Sequence, residues 1–130
     1  MEQIITFITL GVKDLNTSAD FYENKFGWKR SDRSSEGLVV FQMNGVLLSL
    51  YSREELAKDA NMKPNGEGFK GFAMAHNLGS EQEVNDLFAE LKAKQVQIIK
   101  EPEKVFWGGY SGYVADPDGN IWEIAYNPFL

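Results

Sequence analysis

The sequence predicts an α+β protein built from two similar βαβββ modules, whose mixed, curled sheets would form a shared cavity. Three observations lead to this prediction. A strand followed by a capped helix opens the chain, a Pro/Gly/Asn-rich segment interrupts it near the middle, and the same order of elements then starts again. We place module 1 at about residues 1–52, a linker at about 53–68 and module 2 at about 69–130.

Module 1 opens with an apolar, β-branched run. Ile4–Val12 is typical of a strand that is buried on both faces. Asp14–Thr17 supplies turn and N-cap residues, so we expect a helix from about Ser18 to Phe26. Gly27 follows at the position where a helix ends most easily in a left-handed residue.

A hairpin and a short helix complete the first half. Asn44-Gly45 lies between two predicted strands, Leu38–Gln42 and Val46–Tyr51, and is a strong hairpin signal. Ser52-Arg53-Glu54-Glu55 is a capping box that predicts a short helix. Asn61–Gly68 is rich in Pro, Gly and Asn and therefore indicates irregular chain.

Module 2 repeats the order of module 1. Phe69–Asn77 is predicted as a strand, and the capping box at Ser80 opens a helix that runs to about Lys94. Asp116-Pro117-Asp118-Gly119 is the residue set of a tight turn. The three remaining predicted strands are Val96–Ile99, Gly112–Ala115 and Asn120–Tyr126.

Composition excludes several classes of protein. The net charge is −6, with 13 basic against 19 acidic residues, so the chain lacks the basic surface that grips nucleic acid. There is no cysteine for disulfides or thiolate metal sites, and no apolar run of the ~20 residues that a membrane span needs. Because the N-terminus also lacks a basic, apolar leader, we expect a cytoplasmic protein. The 13% aromatic content indicates either a wide core or a cavity lined with rings.

Three stretches resemble one superfamily. They are Leu10–Leu15 with the helix entry after it, Phe26-Gly27-Trp28 at the helix exit, and Asp116–Glu123 in the closing hairpin. Together they are similar to the glyoxalase/bleomycin resistance/extradiol dioxygenase superfamily, also called the vicinal oxygen chelate fold. The resemblance covers nearly the whole chain and implies the paired-module fold, a small-molecule ligand and a homodimer. It does not imply one reaction, since the superfamily includes isomerases, dioxygenases, epimerases, thiol transferases and non-catalytic drug-binding proteins.

The resemblance also implies where a metal would bind. Metal-dependent members use four inward side chains, and the corresponding positions here are Phe7, Ser49, Phe72 and Glu123. Phenylalanine cannot coordinate a metal, and one carboxylate cannot hold a catalytic ion. We therefore expect no cofactor. Glu123 remains a weak candidate for a metal ligand. A divalent ion held by His76 and Glu123, with water or side chains such as Gln42 and Asn44 completing its coordination, is an equally weak possibility.

Two ionisable residues are candidates for catalysis. His76, the only histidine, shares one face of a strand with Phe72 and Met74, so it either points into the cavity as a ligand contact or general base, or is a structural histidine. Glu123 alternates with Trp122 and Ile124; if those two face the helix, Glu123 faces the cavity and accepts a hydrogen bond from a ligand. A solvated position at the rim is the alternative for Glu123.

The predicted ligand contacts come from inward strand positions and from the Trp107-Gly108-Gly109-Tyr110 loop. Trp107 is either a lid that stacks on a planar ligand or a packing anchor. We predict binding of a small, partly aromatic molecule without a metal. The alternatives are a lyase, isomerase or dioxygenase that uses Glu123 and His76, and a partner protein with a vestigial cavity. The expected ligand-binding residues are Phe7, Thr9, Gln42, Ser49, Tyr51, Phe72, Met74, His76, Trp107, Tyr110 and Glu123.

Overall fold

The structure is a computed structural model that describes residues 1–130. The chain divides into two compact units, Met1–Gly66 and Glu67–Leu130. The strands are β1 Phe7–Val12, β2 Leu38–Gln42, β3 Leu47–Ser52, β4 Met74–Leu78, β5 Gln97–Lys104, β6 Tyr110–Ala115 and β7 Ile121–Tyr126. The helices are α1 Leu15–Asp20, α2 Arg53–Asp59 and α3 Glu81–Ala93. No helix combines the length and apolar character needed to cross a bilayer.

The first unit contains a mixed sheet in the order β1-β3-β2, with β1 parallel and β2 antiparallel to β3. The predicted α+β class and mixed sheets are thus confirmed. This sheet has three strands rather than the four of a βαβββ module. Residues 31–37 form turns and only one isolated bridge, between Ser35 and Leu38. The predicted hairpin is present, with Gly45 at φ +84°.

Helix α1 begins earlier than expected, at Leu15. The Asp14 carboxylate accepts a hydrogen bond from the Thr17 backbone N–H at 2.8 Å, so Asp14 is the N-cap and the next residues are already helical. That hydrogen bond lowers the pKa of the Asp14 carboxyl group. The helix then widens into a π-helical turn at Phe21–Lys25 and stops before Gly27, which has the expected positive φ of 76°.

The π-helical turn places its rings in the core of the first unit. Tyr22 is fully buried, and its ring stacks on Trp28 with centroids 5.4 Å apart. Phe41 of β2 closes the cluster, 5.8 Å from Trp28 and 6.0 Å from Tyr22. Phe21 and Phe26 complete it. Five aromatic residues therefore form a wide core, which accounts for part of the aromatic excess.

Helix α2 follows β3 directly. The Ser52 hydroxyl accepts a hydrogen bond from the Glu55 backbone N–H, as the capping box predicts. Leu56 and Arg53 pack against Gly11 of β1, where an added Cβ would lie 3.2–3.4 Å from their atoms. Arg53 also donates to the Pro64 carbonyl, which holds the irregular segment after α2 against the start of that helix.

The second unit contains a four-stranded mixed sheet in the order β4-β7-β6-β5, with β4 parallel to β7 and the other pairs antiparallel. Ser80 caps α3 through the Glu83 backbone N–H, as expected. Val84, Phe88 and Leu91 form the buried side of α3. Strand β5 extends well beyond the predicted Ile99, to Lys104, with register shifts along its pairing with β6.

Two strands begin well after their predicted starts, and β6 begins two residues before its predicted start at Gly112. Strand β1 begins at Phe7, so Ile4 and Ile5 remain 66% and 65% exposed rather than buried on both faces. Strand β4 begins at Met74, well after Phe69, which is 73% exposed. In each case the parallel partner strand begins just after a tight turn. The residues upstream therefore have no strand to pair with, whatever their β propensity.

Candidate functional site

In the first unit, the predicted ligand contacts share one face of the sheet. Thr9 pairs with Ser49 in the parallel ladder, and Ser49 pairs with Val40 in the antiparallel one. Side chains at paired positions lie on the same face, opposite the one that Phe41 and Leu48 present to the aromatic core. The predicted contacts on this face are Phe7, Thr9, Gln42, Ser49 and Tyr51.

This face of the first sheet carries apolar and uncharged polar side chains. The Thr9 Oγ1 and Ser49 Oγ atoms lie 2.6 Å apart in a hydrogen bond, so the buried Ser49 hydroxyl is satisfied within the sheet. Gln42 donates through Nε2 to the carbonyl of Met43 at 2.9 Å. Phe7 is 46% exposed, which leaves its ring accessible. The face supplies an accessible ring and paired hydroxyls, but no charge.

In the second unit, α3 covers one face of the sheet. The Phe88 ring reaches Gly112, which pairs with Ile124, so Ile124 and the alternate residues around it face α3. Trp122 and Ile124 are 6% and 2% exposed. As the alternation predicts, Glu123 therefore lies on the face without a helix.

Three polar side chains form a row across this helix-free face. Lys100 of β5 pairs with Tyr113 of β6, and Tyr113 pairs with Glu123 of β7. We call Lys100, Tyr113 and Glu123 the polar row. The row continues on β4 at Ala75, the partner of Glu123. Directly opposed cross-strand side chains lie ~4.5–5.5 Å apart at Cβ, within hydrogen-bonding reach for long polar groups.

The members of the polar row interact electrostatically. Burial raises the pKa of Tyr113, and Glu123 raises it further through its negative charge and by accepting a hydrogen bond from the phenol; Lys100 opposes this rise. Lys100 itself is bound to Glu103, with Nζ 2.8 Å from Oε1. That contact raises the pKa of the Lys100 ammonium. The Tyr113 phenol is thus protonated at neutral pH and able to donate to the Glu123 carboxylate opposite it.

The structure does not bring His76 and Glu123 together. His76 pairs with Ile124 and therefore lies on the same sheet face as Ile124, whereas Glu123 lies on the opposite face. Met74 shares the face of His76, as predicted, and is buried. Phe72 lies outside β4 and is 46% exposed, so the strand alternation does not extend to it. The proposed pairing of His76 with Glu123 in general acid–base catalysis is therefore not supported within this unit.

The predicted Trp107–Tyr110 loop is shorter than expected. Residues 105–108 form a turn closed by the Gly108 backbone N–H on the Val105 carbonyl at 3.0 Å. The Trp107 ring packs directly over Gly109, which leaves no room for a Cβ there. Tyr110 is already part of β6, and its hydroxyl donates to Asn85 of α3 at 2.7 Å. Trp107 packs within its own hairpin, and Tyr110 faces the helix.

Sequence reasoning missed two members of the polar row, Tyr113 and Lys100. The signal for Tyr113 was present in the sequence. The turn at Asp116–Gly119 pairs Ala115 with Ile121, and two residues further from the turn on each strand Tyr113 lies opposite Glu123. No such count reaches Lys100, because the register between β5 and β6 shifts on both sides of it.

Comparison with known proteins identifies the class. A family model described as Glyoxalase/Bleomycin resistance protein/Dioxygenase superfamily matches residues 4–124. An α+β fold with two mixed sheets is the arrangement that the resemblance implied. The chain belongs to the glyoxalase/bleomycin resistance/dioxygenase superfamily.

Solved structures agree with this assignment. A glyoxalase-related enzyme from Fulvimarina pelagi is 38% identical, with a TM-score of 0.87 over 98% of this chain and 90% of that one. A glyoxalase/bleomycin resistance protein/dioxygenase from Nocardioides is 26% identical, with a TM-score of 0.82 over 97% and 84%. Lactoylglutathione lyase from Agrobacterium tumefaciens, at 23% identity, has a TM-score of 0.76 over 99% and 97%, and shares the fold.

Proposed function

We propose that this protein binds a small, partly aromatic organic molecule on the helix-free face of the second sheet, with Glu123 as its polar contact and without the usual catalytic metal. The observation that carries the proposal is the position of Glu123, half-buried beside the Tyr113 ring on the one sheet face of its unit that α3 does not cover. A carboxylate next to an aromatic surface can fix the polar end of a ligand while the ring contacts its apolar part.

The donor set does not fit the superfamily's usual metal site. On the face of Glu123, strand β4 contributes Ala75 and Asn77, and its histidine lies on the other face. In the first unit the corresponding positions are Phe7, which has no donor atom, and Ser49, whose hydroxyl is bonded to Thr9. Within each unit, no three His, Asp or Glu side chains gather in an arrangement that could hold a metal ion. These placements support a metal-free site.

The local charges favour a ligand that donates hydrogen bonds. Glu123 and Glu103 carry two negative charges, against one positive charge on Lys100, which is paired with Glu103. An aromatic amine or a phenol can donate to the Glu123 carboxylate, whereas an aromatic acid would meet a like charge.

Matched probes test this proposal. We expect tryptamine to raise the melting temperature in a concentration-dependent way, and indole-3-acetate, which has the same ring and the opposite charge, to leave it unchanged. Glu123→Gln should remove the tryptamine response. Glu101→Gln removes a carboxylate whose partner is Lys92 on the protein surface, and should retain the response. Equal responses of wild type and Glu123→Gln would contradict the proposal.

Metal addition tests the second part of the proposal. Nickel and zinc ions should leave the melting temperature of the untagged protein unchanged. A rise of several degrees that Glu123→Ala abolishes would overturn the metal-free site.

An enzymatic role is the second candidate. It is favoured by the 38% identity to a protein described as a glyoxalase-related enzyme. Since His76 lies on the opposite sheet face, such an enzyme would use Glu123 as its acid–base group. Turnover of thiol adducts of 2-oxoaldehydes or of catechols that is lost in Glu123→Gln and kept in His76→Ala would support it. The homodimer and the cytoplasmic location stay predictions.

A further inference from the structure

We infer that Tyr113 is a positioning residue, which holds one oxygen of the Glu123 carboxylate and leaves the other free for a hydrogen-bond donor on the ligand. The inference rests on the proposed function and names a residue that determines its specificity. It assigns the site to ligands that carry an amine or hydroxyl next to an aromatic ring.

The register between β6 and β7 places Tyr113 directly opposite Glu123. That register is fixed by the turn between the two strands. Asp116 is buried, and its Oδ1 accepts from the backbone N–H groups of Asp118 and Asn120 at 2.9 and 2.8 Å. Its Oδ2 accepts from the side chain of Asn120 at 2.8 Å. Because a one-residue slip would leave these buried groups unpaired, the phenol and the carboxylate are held in one alignment.

Most neighbours of the pair on the same face have short side chains. Ser111 and Ala115 lie two positions before and after Tyr113, and Ala125 lies two positions after Glu123; Ile121, two positions before Glu123, is the larger apolar neighbour. On the adjacent strand, Ala75 is the partner of Glu123. Since none of these side chains reaches as far from the sheet as the phenol ring, the ring and the carboxylate stand free of steric cover from them. A flat ring can therefore lie against Tyr113 while its donor group meets Glu123.

Lys100 does not compete for the carboxylate. It is next to Tyr113 in the ladder, but its ammonium is bonded to Glu103 at 2.8 Å. Glu123 lies one strand further away, about 9.6 Å from Lys100 by the usual strand spacing. The hydroxyl of Tyr113 is thus the donor that lies next to Glu123, and the charge of Glu123 remains available to a ligand.

Calorimetric titration with tryptamine, together with absorbance titration of the phenols, tests the inference. Tyr113→Phe retains the ring and should weaken tryptamine binding about three- to tenfold. Glu123→Gln should weaken it more, and adding Tyr113→Phe to Glu123→Gln should cause little further loss, because the phenol acts through the carboxylate. Tyr126→Phe removes a hydroxyl on the helix-covered face and should bind as wild type does.

The phenol titration separates this inference from the proposed function. Tyr113→Phe should remove a phenol that ionises above the usual pH, and Glu123→Gln should shift that same transition to lower pH. If wild type fails to bind tryptamine, the proposed function fails, and the ligand role of Tyr113 with it. If tryptamine binds but Tyr113→Phe matches Tyr126→Phe in affinity, or Glu123→Gln leaves the phenol transition unchanged, the inference alone is overturned.

Discussion

In each unit a helix packs on one face of a mixed sheet, α1 in the first and α3 in the second. The opposite faces differ: in the first unit α2 covers the Gly11 end of that face, whereas no helix covers it in the second. In the first unit two hydroxyls on that face, those of Thr9 and Ser49, form a hydrogen bond with each other at 2.6 Å. In the second unit the corresponding face carries the polar row, in which an acid, a phenol and an ammonium interact. Similar architecture therefore supports a mainly structural face in one unit and an ionisable one in the other.

The cores of the two units differ as well. A π-helical turn and five rings fill the space between α1 and its sheet. In the second unit the backbone of β5 and the Phe88 side chain of α3 lie so close to Gly112 that only glycine fits there. The first unit gains its packing from large side chains and the second from close backbone approach, which explains why the aromatic excess of the sequence does not translate into one ring-lined surface.

The largest expected loss of stability comes from a substitution at Gly112, where the backbone of β5 and the Phe88 ring pack closely in the second unit. A Cβ on Gly112 would lie 2.6 Å from the Lys100 carbonyl oxygen, 2.6 Å from the Phe88 ring and 2.8 Å from the Pro102 nitrogen. Two of these are backbone atoms that cannot move aside, so Gly112→Ala should lower the free energy of unfolding by about 3 kcal/mol. Urea denaturation measures the loss.

Gly11→Ala in the first unit provides the comparison. Its Cβ would lie 3.2 Å from the Arg53 Cα and 3.3 Å from the flexible Leu56 side chain, so we expect a smaller loss of about 1 kcal/mol. Gly79→Ala meets only the end of the Glu83 side chain and should cost least. If Gly11→Ala proves as costly as Gly112→Ala, the distinction between the two cores is wrong.

The hydroxyl pair of the first unit should have an intermediate effect. Thr9→Val leaves the buried Ser49 hydroxyl without its partner and should destabilise the protein by about 1–2 kcal/mol. The double variant Thr9→Val/Ser49→Ala removes both polar groups and should recover most of that loss. Thr6→Val, at an exposed position before β1, serves as the control. A Thr9→Val variant no less stable than Thr6→Val would show that the pair is not structural.

The smallest expected effect is a change in the pH dependence of stability at alkaline pH, caused by Tyr113 in the second unit. The pKa of Tyr113 is raised above its usual 10.0 in the folded protein, so between that value and the folded-state pKa the unfolded chain binds fewer protons than the native one. The contribution of the Tyr113 phenol to the free energy of unfolding is fully present below pH 10 and is lost as the pH rises through this window. Tyr113→Phe should show a shallower decline in melting temperature. An identical decline in both proteins would contradict the raised pKa of Tyr113 in the folded protein.

Much of the fold could be predicted because its signals are local. The caps at Ser52 and Ser80 each need only one hydroxyl and a backbone N–H three residues away. The hairpin at Asn44-Gly45 and the turn at Asp116–Gly119 likewise use residues suited to their own backbone angles. The strand starts were missed because they depend on where a distant partner strand begins.

The candidate site was predicted only in part, and the case of β4 shows why. The sequence by itself determined the superfamily, the turns and the alternation that sets Glu123 apart from Trp122 and Ile124. It could not determine the face of His76, because Met74–Leu78 is a five-residue edge strand that buries a single residue and its alternation has no fixed phase. Only the tertiary pairing of β4 with β7 decided that His76 lies beside Ile124 and that Tyr113 is the partner of Glu123. Because successive side chains of a strand point to opposite faces of the sheet, a shift of one residue in the pairing moves a side chain to the other face.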